Sequence, residues 1–491
     1  MKSEPYYAKG NTEEGLTPIT SQWMTELMES PVILKELMCR YGSPVNIHHL
    51  PPFKENIEGY RDMFNSYGLK HKILYARKAN KCMGFVSAAE QVGIGVDTAS
   101  QRELFQALEM GIPPENLVLT AAIKTPAQIR LAIQNGVAII LDNQDECQLV
   151  QEIAELLDKK ALVGFRVSGF EHQGTKLYSR FGFDISKIGE FISVNIGQGK
   201  KWDLIECLGL HFHLDGYSTS QRSSALLQCI HLTVDLKQEG HGISFIDMGG
   251  GILMNYLKDK KEWESFSERL QLAVRGLGEQ ITFNNDGLGF RLEGADLTGQ
   301  LETYPFYNEV NGPNFVREIL DSKDSNGTCL CQLLKSNDLE IRIEPGRSLL
   351  AQSGITVAKV AHRKQDSKGN WLVGLEMNMS QMMSGSKDFL VDPFVLYDNA
   401  REEGPVDVFF TGAYCLERDI LLKRKTVLPQ LPQVGEVVVF VNTAGYMMHF
   451  FETEAHLFEL SSNILYEREA NMPISPECFK NDAEFAKFHK V

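Results

Sequence analysis

Short apolar runs and helical periodicity alternate along most of this chain. Residues 73–75, 95–97, 117–120, 138–141, 162–167, 209–213, 244–247 and 340–343 read as strands, brief runs built around apolar residues. Between them lie segments of helical period such as 101–111 and 126–136, each closing on a glycine. With an early strand at Val45 and Asn46 the count is eight or nine parallel-type strands, which predicts an α/β fold: a (β/α)8 barrel over residues 45–345. No G-x-G-x-x-G follows the first strand, so a doubly wound open sheet is the weaker alternative.

The pattern changes at both ends and once in the middle. Residues 1–44 are predicted to form an N-terminal segment packed on a second domain, with one helix over 21–41 opened by Ser21 and closed by Gly42. The seventh crossover, from Gly251 to Leu339, is long, with one helical segment at 261–277. A Gly, Asn and Asp-rich remainder suggests an insertion at about residues 280–338. Beyond Arg347, β-rich runs at 355–360, 371–375, 406–410, 425–428 and 437–441 predict an all-β C-terminal domain over 346–491.

Composition narrows the functional classes. Of 491 residues 43% are hydrophobic and 23% charged, a globular balance, and the net charge of -15 argues against nucleic acid or an anionic membrane as the main partner. The polar N-terminus has no apolar signal core, no run reaches transmembrane length, and the nine cysteines lack paired spacing; a cytoplasmic protein is expected. Cys329 and Cys331 form a lone C-x-C, expected in a loop and without a metal.

The chemistry concentrates where barrel strands end. The first strand delivers Lys78 within Tyr75-Ala76-Arg77-Lys78-Ala79-Asn80. Its amine, with a pKa lowered by desolvation, would form a Schiff base with an aldehyde cofactor. Gly249, Gly250 and Gly251 close the seventh strand, where bare backbone lets N–H groups approach a phosphate. The eighth ends in Glu344-Pro345-Gly346-Arg347, offering a carboxylate for a protonated ring nitrogen and a guanidinium for an anion. His211 and His213 share one face of the sixth strand; without further metal ligands at fitting spacing, a flat imidazole against a cofactor ring is the preferred reading.

These motifs, followed by Gly412-Ala413-Tyr414-Cys415-Leu416-Glu417-Arg418-Asp419, stand in the order found in the pyridoxal-phosphate-dependent ornithine, diaminopimelate and arginine decarboxylases of the alanine-racemase-like fold, which the chain resembles over about residues 45–450. The resemblance implies pyridoxal 5'-phosphate on Lys78, His213 against its ring, Glu344 at the ring nitrogen, and phosphate contacts from Gly249, Gly250, Gly251, Arg347 and Tyr446. Asp97 and Arg166 resemble the polar pair near the lysine. Cys415 resembles the cysteine that enters from the partner subunit and reprotonates the product carbanion, so a homodimer with shared sites is implied.

The chain also departs from that pattern. Where diaminopimelate decarboxylases carry Arg-Pro-x-Leu-Tyr it reads Asp392-Pro393-Phe394-Val395-Leu396-Tyr397, so Asp392, Tyr397 and Asp419 are taken as substrate contacts, Asp392 suiting a distal amine. Leu416 stands where an acid is usual, His213-Leu214-Asp215-Gly216-Tyr217-Ser218 in place of His-x-Gly-Ser suggests an insertion or a changed phosphate loop, and Ala444-Gly445-Tyr446 replaces Gly-Ala-Tyr. The expected function is decarboxylation of a diaminopimelate-, ornithine- or lysine-like or larger conjugated amino acid, in a divergent branch. A racemase or epimerase on the same fold is the alternative, and a non-catalytic partner-binding relative the third reading.

Overall fold

The computed structural model of the protein describes residues 5–385, 387–469 and 472–486. Eight parallel strands close on themselves: His71–Ala76, Gly95–Thr98, Leu117–Leu119, Ala138–Leu141, Ala161–Ser168, Ile205–His211, Phe245–Asp247 and Glu340–Ile343, the last pairing with the first. The barrel interior is a packed core. Leu74, Val118, Ile140 and Phe245 form a cluster inside it, and the Phe245 ring has room because Gly209 lacks a Cβ, which would lie 2.5 Å away. A much larger apolar layer joins the strands to their outer helices.

Helix boundaries follow local chemistry. Pro126–Asn135 opens on a capping box between Thr125 and Gln128 and closes on Gly136 in the left-handed region. The helix expected over 21–41 is two helices, Gln22–Met28 and Pro31–Tyr41. Pro31 has no N–H to give the preceding turn, so it ends the first helix and starts the second.

The second domain is a mixed sheet in which Tyr6–Lys9, Phe394–Tyr397, Val437–Val441, Gly354–Gln365, Trp371–Leu375, Val406–Thr411 and Thr426–Leu428 are successive neighbours. The N-terminal strand Tyr6–Lys9 pairs antiparallel with Phe394–Tyr397 of this sheet. Val45–His48, expected to open the barrel, belongs to this sheet instead: it pairs with Gly354–Gln365 and with Ser462–Tyr466. Periodicity marks a buried strand without saying which of two sheets buries it.

The long crossover also divides differently from expectation. Gly312–Asp321 and Leu330–Ser336 pack with Thr219–Gln238 as helices of the barrel's outer ring, and Cys329 and Cys331 sit at the start of the second of these, not in a loop. The added material therefore lies before residue 312. It includes the hairpin Arg291–Glu293 with Asp296–Thr298, and it fastens to the β domain where the Phe283 N–H donates to Lys423 O at 2.7 Å.

Candidate active site

Lys78 lies in a single 3-10 turn, Arg77–Ala79, directly after the first barrel strand. Both domains hold that turn. The Tyr446 N–H donates to Ala79 O at 2.8 Å, Asn80 Nδ2 to Ala444 O at 2.9 Å, and the Lys81 N–H to His449 Nδ1 at 3.1 Å. Asp482 of the β domain accepts the N–H groups of Met83 and Gly84 at 2.8 and 2.9 Å, capping the helix that follows.

Lys78 Nζ is 3.1 Å from Asp97 Oδ2, while Asp97 Oδ1 accepts from the Thr120 hydroxyl. Burial alone would lower the lysine's pKa, as the sequence suggested. The Asp97 carboxylate, Tyr446 and Glu344 outweigh it and raise the pKa above its usual value, so Lys78 is held as a cation.

Below it, at the ends of the sixth, seventh and eighth strands, His211, Asp247 and Glu344 bring their polar atoms within 4.8 Å of one another, all buried. His211 Nε2 is 3.3 Å from Glu344 Oε1. Burial holds His211 neutral with its pKa lowered to about 4, and pushes Asp247 up to about 7 and Glu344 up to about 8. Apart from the contacts they make with one another, both His211 nitrogens, Asp247 Oδ2 and Glu344 Oε1 are buried without a hydrogen-bond partner among the described residues. Orphaned atoms of that kind concentrate where a ligand completes a network.

His213 is fixed by the glycine run. The Gly250 N–H donates to its Nδ1 at 3.1 Å, which leaves Nε2 as the protonated nitrogen, and burial and the nearby Lys78 charge keep the ring neutral. Gly249 and Gly251 have φ of +64° and +75°. A Cβ on Gly249 would stand 2.7 Å from Phe212 O, and one on Gly250 2.6 Å from Glu344 O, so only glycine fits this cradle.

Arg347, from the eighth strand, makes no ion pair with a carboxylate among the described residues; its guanidinium lies 4.2 Å from the ring centroid of Tyr304 and 5.4 Å from that of Tyr446. Arg166 at the fifth strand has its Nε 4.0 Å from Asp142 and its guanidinium 4.1 Å over Phe181, with burial lowering its pKa. The barrel mouth thus gathers a lysine, two arginines, a glycine cradle and buried proton-holding acids.

A model of the pyridoxal-binding domain of pyridoxal-dependent decarboxylases matches residues 53–283, which hold Lys78, Asp97, Arg166, His213 and the glycine triplet. Over those residues the chain carries the pyridoxal-binding domain of the pyridoxal-dependent decarboxylases. It is 24% identical to a diaminopimelate decarboxylase of Staphylococcus aureus, over 86% of the chain and 88% of that protein. It is 26% identical to the uncharacterized protein y4yA of Sinorhizobium fredii, over 90% and 92%. The crystal structure of diaminopimelate decarboxylase from M. jannaschii shares the fold with a TM-score of 0.66 at 19% identity, covering 93% of this chain and 94% of that one.

The decarboxylase takes pyridoxal phosphate as cofactor, and its residues fit the group. The cradle at Gly249–251 and the acid-free Arg347 suit a phosphate; the orphaned Glu344 Oε1 suits a ring nitrogen; the neutral His213 ring and Lys78 suit the ring face and the aldehyde.

In the decarboxylase the three expected substrate contacts lie elsewhere. Asp392 is fully buried in the β domain, its carboxylate taken by Lys9, Asn11, the Leu16 N–H and Arg424. Tyr397 is fully buried, stacked on Tyr6 at 5.1 Å with its hydroxyl on Gln430 O. Asp419 accepts the N–H groups of Tyr414 at 2.7 Å and Met379 at 2.8 Å, so it shapes a loop instead of facing a substrate. Cys415 is exposed on that loop.

Other residues of the decarboxylase site carried no sequence role. Asp247 was readable only as the residue before Met248 and the glycines. Arg222, buried, donates to Leu214 O and Gly216 O at 3.1 and 2.9 Å and so braces the loop after the sixth strand; an arginine in the first turn of a helix gives no sign of this. Tyr304 comes from the added segment, where no periodicity marks it.

Proposed function

We propose that this protein decarboxylates an amino acid bearing a second charged group or a larger conjugate at its far end, as a cytoplasmic homodimer with shared sites. The observation that carries the reading is the convergence of Lys78, Asp97, His213, Gly249–251, Glu344 and Arg347 at one barrel mouth, with a free, exposed Cys415 on the β domain. Diaminopimelate decarboxylases are among the relatives, and solved arginine and lysine decarboxylases share the fold.

When bound, pyridoxal phosphate supplies the aldehyde that engages an amine and the ring that accepts electrons as carbon dioxide leaves. The chain's own residues do the rest. Asp97 orients the Lys78 amine and is placed to take the proton that the amine would have to release before engaging an aldehyde. Glu344, whose pKa of about 8 lets it carry a proton at neutral pH, holds that proton where the ring nitrogen needs it. His213 presents a neutral face fixed by Gly250, and Arg347 with the glycines binds the phosphate. Cys415, entering from the partner subunit, returns a proton to the product carbon.

The test is carbon dioxide release from a panel of L- and D-lysine, ornithine, arginine, diaminopimelate stereoisomers and amine-bearing conjugated amino acids. The expected result is release from at least one substrate, abolished in Lys78→Ala and strongly slowed in Cys415→Ala with cofactor binding retained. Full turnover in Lys78→Ala would refute the mechanism. Racemisation without gas release would favour the epimerase reading.

A further inference from the structure

The segment before residue 312 is not merely attached outside the barrel. It runs alongside the stretch that leaves the glycine cradle: the Tyr256 N–H donates to Phe306 O at 2.9 Å, the Gly312 N–H to Leu253 O at 2.8 Å, and Asn308 Nδ2 to Met254 O at 2.8 Å. Tyr304 closes this seam. Its hydroxyl accepts the Met254 N–H at 2.8 Å, and its buried ring lies 4.2 Å from the Arg347 guanidinium. The Tyr256 ring backs it at 5.8 Å and the Tyr217 ring meets it edge-on at 5.6 Å. One side chain therefore touches both the chain leaving Gly249–251 and the arginine of the eighth strand.

We propose that Tyr304 is a positioning residue for the cofactor's phosphate: its ring holds Arg347 in place through a cation–π contact, so the added segment is part of the phosphate site. Arg347 has no carboxylate partner among the described residues; the Tyr256 hydroxyl hydrogen-bonds its guanidinium and the Tyr304 ring carries the guanidinium's face, and a long side chain not held in this way would lose more rotamer freedom on binding an anion. A guanidinium already laid on an aromatic face loses less. The inference rests on the reading of Arg347 as a phosphate contact.

The test compares the dissociation constants of the holoenzyme for pyridoxal phosphate and for pyridoxal, which lacks the phosphate, after resolution and titration by absorbance. Wild type is expected to prefer the phosphate form, and Arg347→Gln to lose much of that preference. Tyr304→Leu is expected to weaken pyridoxal phosphate about tenfold while leaving pyridoxal within about twofold, the range of a desolvated cation–π contact. Tyr304→Phe, which keeps the ring, retains the preference, and in an Arg347→Gln background Tyr304→Leu changes it no further. Tyr304→Met, which fills the space without a π face, carries the same expectation if the leucine variant does not fold. Equal weakening of both ligands would mean packing alone and overturn the proposal. An unchanged preference in Arg347→Gln would instead remove the phosphate reading of Arg347 on which it rests.

Discussion

Replacing Asp392 separates a substrate contact from a structural ion cluster. Its carboxylate is fully buried between Lys9 at 2.9 Å, Asn11 at 2.9 Å, the Leu16 N–H at 2.6 Å and the Arg424 guanidinium. Arg424 is itself buried, and its pKa is lowered to about 10 by desolvation, so it cannot carry its charge cheaply alone. Removing one partner of such a pair strands the other charge, which costs roughly 3–5 kcal/mol. Lys9, with its pKa lowered to about 8 by burial, has a way out by releasing its proton; Arg424 has none. Asp392→Ala should therefore lower stability by about 3–5 kcal/mol in urea unfolding and speed hydrogen exchange near Leu16, which anchors the N-terminal segment. Asp392→Leu with Arg424→Leu should recover most of the loss, because no charge is then stranded. An Asp392→Ala protein of wild-type stability with a raised KM for a basic substrate would refute this reasoning and restore the substrate role.

Glu344 has a pKa raised to about 8 by burial against an ordinary 4.5, so the native state binds the extra proton: this group's contribution to the stability of the cofactor-free protein is full below about 4.5 and falls away as pH rises through about 8. Glu344→Gln should flatten the upper part of that fall in thermal melts recorded against pH; an unchanged profile would count against it. Asp482→Ala, which uncaps two N–H groups at the helix behind Lys78, should cost about 1–2 kcal/mol of stability, read by urea unfolding. Gly250→Ala should fold but bind pyridoxal phosphate at least about tenfold more weakly, because its Cβ would press on Glu344 O, and an absorbance titration checks it.

The glycine cradle, the Lys78 turn and the Glu344–Arg347 pair were legible because each is a short motif tied to a strand end, and a strand end in a barrel has only one place to be. The barrel itself was legible for the same reason, as eight buried strands with crossover helices. Val45–His48 was misplaced because a four-residue buried run looks alike in either sheet; its partners Gly354–Gln365 and Ser462–Tyr466 are hundreds of positions away. Asp392 misled because its charge is visible in the sequence while Lys9 and Arg424, which neutralise it, are distant.

The sequence by itself determined the barrel's strands and most of its crossover helices, which follow from local period, and its short motifs carried the resemblance to the family and to the residues at the barrel mouth. Only the tertiary structure decided which charges are free to meet a ligand. Arg347 is left with aromatic rings and no carboxylate among the described residues, whereas Asp392 and Asp419 are fully engaged. Whether a polar atom is available depends on the partners that folding brings within about 3 Å, and those come from elements far apart in the chain.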